Sequence, residues 1–130
     1  MKKLLMAATA LCCLWIMGLT LASCESDSVG EYRYTVGPSD DTSVQAYTSY
    51  RMTGQDIVLA EVAKVGKLVT GTTFQLTGSL TDCNEKIKGA VNTGMNKVEA
   101  SPTYNHELSA TTIIIENITE QKVIFSRKFK

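Results

Sequence analysis

The sequence predicts an α+β domain: an antiparallel sheet of three to four strands with two helices packed on one face. Three observations carry this expectation. Residues 82–99 repeat apolar side chains at helical steps, residues 31–36 and 122–129 alternate at strand steps, and Ile113, Ile114 and Ile115 follow one another without a polar break. Apolar helical stripes beside alternating strands are buried most economically when the helices cover one face of a sheet.

The elements follow in chain order. Glu31-Tyr32-Arg33-Tyr34-Thr35-Val36 joins aromatic and β-branched residues in alternation and reads as a strand. Gly37-Pro38-Ser39-Asp40-Asp41 breaks it and offers Ser or Asp as a cap for a following helix. Val44, Tyr47, Ile57, Val58, Val62 and Val65 fall at helical spacing over 42–65, with Glu61 as a polar exception and Gly54 as a point of interruption. Residues 47–53 also read locally as strand, which leaves 42–53 open, but a helix over 42–65 interrupted near Gly54 is the favoured reading, with Asp56 to Val65 its better half. Thr72 to Thr77, between Gly71 and Gly78, reads as a short edge strand.

Asp82 to Glu99 is the clearest element. Cys83, Ile87, Val91, Met95 and Val98 recur at steps of four and three, flanked by Ala90. Asp82 with Glu85 fits a capping box, and Ser101-Pro102 ends the helix because the residue before proline avoids helical geometry. The isoleucine run within Glu107 to Ile118 predicts a central strand covered on both faces. After a turn at 117–121, Lys122 to Phe129 returns with Val123, Phe125 and Phe129 on one parity, closing a C-terminal hairpin. Asn117-Ile118-Thr119 has the form of a glycosylation acceptor and is read as a turn.

The N-terminus has a different logic. Met1-Lys2-Lys3 is basic, Leu4 to Leu21 carries no charge, and Ala22 and Ser23 are small. This pattern makes residues 1–23 a secretory signal peptide. Leu21-Ala22-Ser23-Cys24 resembles the lipobox of bacterial lipoproteins. The resemblance implies that the Cys24 thiol receives a diacylglycerol, that the bond between Ser23 and Cys24 is cut, and that the new amine is acylated. Two or three fatty chains, at about 0.8 kcal/mol per buried methylene, hold a protein at a membrane without a spanning segment. An uncleaved membrane anchor and an ordinary signal are the competing readings; the apolar run is near the lower limit for a span.

Glu25 and Asp27, just after Cys24, resemble the acidic export signal of Bacteroidota-type lipoproteins, though a plain solvated tether explains them as well. The expected organisation is a leader over 1–23, a lipidated tether over 24–30 and one domain over 31–130. The tether reaches roughly 20 Å when extended. The expected location is the cell envelope, at the outer membrane, with the periplasmic face and the cell surface both open.

Composition narrows the chemistry. The precursor holds 13 basic and 13 acidic residues, and loss of Lys2 and Lys3 leaves a slightly acidic domain, so nothing points to nucleic acid. Of the four cysteines, Cys12 and Cys13 leave with the leader and Cys24 takes lipid, so Cys83 remains as the domain's thiol, expected to pack as a small hydrophobe. His106 is the chain's one histidine. With one histidine and one such thiol, no zinc set and no cofactor are expected.

Cys83 and His106 are the residue types of a nucleophile–base pair, yet no third orienting group is legible and no catalytic residue is assigned. Tyr32, Tyr34, Tyr47, Tyr50 and Tyr104 carry a mild hint of recognition, against the plainer expectation that about half of them fill the core. The leading functional expectation is a non-enzymatic, lipid-anchored binding or accessory module with a protein or glycan partner. The alternative is a small envelope enzyme or enzyme inhibitor with a cleft near Cys83 or His106, and a structural assembly subunit is a third.

Overall fold

The computed structural model describes residues 29–130. The leader, the Ser23–Cys24 bond and Cys24 itself lie outside the described residues. By its contacts the described chain falls into a main unit, Glu31–Thr77 with Cys83–Lys130, and a minor one that holds Val29, Gly30 and Gly78–Asp82.

The fold is α+β, as the sequence predicts. Among the described residues, one antiparallel sheet holds β1 (Val29–Pro38), β2 (Lys67–Thr70), β3 (Thr73–Ser79), β4 (Thr112–Asn117) and β5 (Lys122–Lys128), in the order β2-β3-β1-β4-β5. Three helices accompany it: α1 (Val44–Thr53), α2 (Gln55–Val62) and α3 (Leu80–Glu99). The sheet has one strand more than the three or four expected. Lys67–Thr70 pairs with β3 across a tight turn at Gly71, whose φ of 52° suits a residue without Cβ. That added strand takes the edge, so the segment around Phe74 and Leu76 is an interior strand rather than the expected edge.

Each strand buries alternate residues. Tyr32, Tyr34 and Val36 of β1, Phe74 and Leu76 of β3, and Ile113, Ile115 and Asn117 of β4 are buried, while their neighbours are half-buried or exposed. β4 is an interior strand next to the edge, with Val36 paired to Ile115 on one side and Phe125 on the other, but it is not covered on both faces as its isoleucines predict: Ile113 and Ile115 are buried, whereas Ile114 is half-buried and Glu116 exposed. The parity expected for β5 fails. Ile115 faces Phe125 but Glu116 faces Val123, so Ile124 is an inserted residue. Such a bulge moves side chains beyond it to the opposite face, and Val123 is 52 % exposed whereas Phe129 is buried.

α3 buries the expected stripe of Cys83, Ile87, Ala90, Val91, Met95 and Val98, together with Gly94. Gly94 sets the contact with α2: a Cβ there would come within 2.8 Å of Val58 Cα. The cap differs from the expected Asp82 box. The helix starts two residues earlier, and the Asp82 N–H donates to Ser79 Oγ at 3.1 Å. Asp82 instead sits in the first turn, where a carboxylate suits the helix dipole.

Residues 44–62 are helical, so the strand-like reading of 47–53 is overturned. Gly54 divides the segment, and Ser43 caps α1 by accepting from the Ala46 N–H at 3.1 Å. The buried face of α1 is Ala46, Ser49 and Tyr50, not the predicted Val44–Tyr47 stripe; Val44 is 82 % exposed. The break at Gly54 lets α1 take its own rotation, independent of the Val58–Val62 stripe of α2.

Candidate functional site

The end of β1 leaves a gap in the sheet. β1 continues to Pro38 beside β4, where Pro38 pairs with Ile113. On its other flank β3 starts at Thr73, and the Val36 N–H donates to Thr72 O at 3.2 Å. Gly37 and Pro38 therefore run past the start of β3. Gly37 has no side chain to fill the space, and Pro38 has no N–H to offer a further strand.

α1 closes the gap into a groove of about 260 Å³. Thr35 to Pro38, Thr72 and Ile114 line it from the sheet; Tyr47 and Tyr50 of α1 and Gln55 of α2 line it from the helices. Three hydrogen bonds hold α1 in place. Ser49 Oγ donates to Glu107 Oε1 at 2.7 Å, Gln45 Nε2 donates to Glu107 Oε2 at 3.5 Å, and Thr111 Oγ1 donates to Ala46 O at 3.2 Å. Glu107 and Thr111 belong to the short 3-10 turn His106–Ala110 and its cap, which precede β4. The groove's two walls are thus braced through one segment.

The lining carries no charged side chain. Its polar groups are the Thr35 and Thr72 hydroxyls, the Gln55 amide and two phenols. Tyr47 is 43 % exposed, and its ring also walls a second, outer groove where the Arg51 guanidinium stands 5.9 Å from the ring centroid. Tyr50 is 1 % exposed and packs against Phe129, with ring centroids 6.2 Å apart. Its Oη is buried with no hydrogen-bond partner. Burial holds the Tyr50 phenol well above the ordinary phenol range, so it stays a neutral donor and acceptor.

The residues singled out for chemistry do not converge. Cys83 is buried in the first turns of α3. His106 is exposed, with its ring edge-to-face against Tyr104 and the ring centroids 5.1 Å apart. Tyr104 Oη in turn donates to Lys130 O at 2.6 Å, and the Lys130 N–H donates to Glu99 Oε2 at 2.9 Å. His106 thus neighbours the C-terminal end of α3, and at 1.5 Å per residue Cys83 and Glu99 stand about 24 Å apart along that helix. Tyr34, Asn84 and Asn117 surround a polar point in the core instead: Tyr34 Oη donates to Asn84 Oδ1 at 2.6 Å and Asn117 Nδ2 to the same oxygen at 3.3 Å. Burial first, then the charge a Cys83 thiolate would carry, holds the Tyr34 phenol well above its ordinary range.

Among the described residues no cluster of three or more His, Cys, Asp or Glu is placed to hold a metal ion, and no helix is long and apolar enough to cross a membrane. Of the five tyrosines, Tyr32, Tyr34 and Tyr50 pack in the core while Tyr47 and Tyr104 reach the surface. Thr35, Gly37, Pro38, Gln55, Thr72 and Ile114 carry no site signal in the sequence. The Gly37-Pro38 break marks the end of a strand, but the hollow beside it needs β3 to start late. No protein-family model, curated protein or solved structure matches the chain.

Proposed function

We propose that this protein is a lipid-anchored module of the bacterial cell envelope, attached through Cys24, whose domain binds a partner at the groove between β1 and α1 and catalyses no reaction. One observation carries the binding role: an open, uncharged groove is walled by a buried phenol whose hydroxyl has no partner. An unsatisfied buried hydroxyl costs about 1–3 kcal/mol, and a ligand that supplies the missing hydrogen bond recovers that cost. The anchor reading is supported by the lipobox-like Leu21-Ala22-Ser23-Cys24 after an uncharged leader. The main unit of the domain begins at Glu31, and the groove-lining residues of the same strand lie roughly 15–20 Å farther along it at about 3.3 Å per residue.

Both parts are tested in cells. Intact mass of the mature protein is expected to start at a diacylated Cys24, and Cys24→Ala is expected to remain an uncut precursor; unchanged maturation of that variant refutes the anchor. A photo-crosslinking residue at Tyr47 is expected to capture an envelope molecule. Capture no greater than from a probe at Lys122, in the distant hairpin, refutes the groove as the binding surface.

A further inference from the structure

We infer that the groove at the end of β1 holds a single neutral sugar ring. The inference rests on the binding-module reading above and names its ligand class.

Charge comes first. With no Lys, Arg, Asp, Glu or His in the lining, nothing offsets the desolvation of a phosphate, carboxylate or ammonium, which is costly without a counter-charge. Nucleotides and acidic or basic peptides are disfavoured on that ground. Shape comes second. About 260 Å³ falls below the 300–1,000 Å³ of a pocket for a drug-sized ligand, which leaves room for one ring. Lining chemistry comes third. A fatty chain wants continuous apolar walls, but here hydroxyl and amide groups of Thr35, Thr72 and Gln55 are interleaved with the Tyr47 and Tyr50 rings. A pyranose has the complementary make-up: C–H bonds on its faces to lie against an aromatic ring, and hydroxyls around its rim.

Backbone geometry argues against an extended peptide. Strand addition needs a row of alternating N–H and C=O groups. Past the start of β3, β1 offers only Gly37 and Pro38 before it ends, and Pro38 has no N–H. The two phenols divide the work. Tyr47, half out in solvent, presents its ring as a face for stacking. Tyr50, buried and lacking a partner, offers an Oη that both donates and accepts, as a sugar hydroxyl does.

The test uses the mature lipoprotein in a detergent without a sugar headgroup. The chain's one tryptophan, Trp15, lies in the leader, so tyrosine emission reports on ligand without a competing indole once the leader is removed, and calorimetry gives the affinity. The probes are the methyl glycosides of glucose, galactose, mannose and N-acetylglucosamine, the charged sugars glucuronic acid and glucosamine, and an uncharged Ser/Thr tetrapeptide. The expected result is saturable binding of at least one neutral glycoside, weaker binding of the charged sugars, and none of the peptide. Tyr47→Ala is expected to weaken that binding about tenfold, as loss of roughly 1.4 kcal/mol would. Tyr50→Phe is expected to weaken it several-fold while the melting temperature does not fall.

Binding of no neutral glycoside overturns the inference, as does binding that both tyrosine variants leave unchanged. Binding of the peptide or a charged sugar in preference also overturns it. The Tyr47 crosslink separates the two levels: capture of an envelope protein with no glycoside bound removes the sugar and leaves the binding module standing, whereas no capture removes both.

Discussion

Two buried phenols sit in this small core and are treated in opposite ways. Tyr34, on the β1 face covered by α3, donates to Asn84 Oδ1, which also receives Asn117 Nδ2; Asn117 Oδ1 in turn accepts from the Glu120 N–H at 2.9 Å. Tyr50, on α1 beside the end of the same strand, has no hydrogen-bond partner. Both rings are almost fully covered. The α3 side is closely fitted, down to the glycine at its crossing with Val58, while the α1 side is left with a groove and an unmet hydroxyl. A side that is only structural has its polar atoms satisfied, because each unsatisfied one is costly. That contrast is the ground on which the α1 side is proposed as the binding surface.

The largest expected effect breaks the fitted side. Gly94→Val places side-chain carbons where even a Cβ would stand 2.8 Å from Val58 Cα, and should cost about 3 kcal/mol. Denaturant titration checks it, and a loss below experimental error would show that α2 is free to retreat. Next, Tyr34→Phe should destabilise by about 1–3 kcal/mol because Asn84 Oδ1 loses a buried donor. A double-mutant cycle of Tyr34→Phe with Asn84→Ala should then be clearly non-additive.

The same two phenols set an alkaline limit. Both are held protonated in the fold, above the ordinary phenol value near 10. Their contribution is therefore complete below pH 10. It falls as the pH rises beyond it, where the unfolded chain releases protons that the fold retains. Thermal melts from pH 9 upward should show this decline, and a Tyr34→Phe, Tyr50→Phe double variant should flatten it.

Tyr50→Phe alone should stabilise the fold at neutral pH by about 1–3 kcal/mol, since it removes a buried hydroxyl that has no partner. A cost as large as that of Tyr34→Phe would erase the difference between the two sides. The smallest effect belongs to the surface pair that joins α2 to α3. Lys97 Nζ stands 2.7 Å from Glu61 Oε2, and Lys64 is 2.9 Å from the same oxygen. The Lys97 hydrogen bond, then that of Lys64, lowers the Glu61 carboxyl below its usual range. Its contribution is present at neutral pH and fades as acid protonates the carboxylate. Glu61→Gln should produce a small drop in melting temperature that disappears in high salt.

Much of the frame was legible residue by residue. The apolar steps from Cys83 to Val98 named the buried face of α3, and Ile113 and Ile115 named the core of β4, because a side chain's period along its own element decides which face it joins. Glu61 looked like a polar flaw in a helical stripe, and contact with Lys97 on another helix explains it. Val44 and Tyr47 looked like core and are exposed, because the rotation of a ten-residue helix is set by its neighbours Glu107 and Thr111 rather than by its own weak pattern. Cys83 and His106, to which the sequence reading assigned no catalytic role, lie toward opposite ends of α3.

Taken alone, the chain determined most of its elements, their α+β class, the uncharged N-terminal run and the small residues before Cys24. Those features are local, written in hydrophobic period, charge and turn chemistry over a few adjacent residues. The groove, the orphaned Tyr50 hydroxyl and the satisfied Tyr34 were decided only when β1 ran past the start of β3 and α1 settled across the gap. A cavity is a property of which surfaces fail to meet, and residues as far apart as Thr35, Gln55, Thr72 and Ile114 acquire it only together.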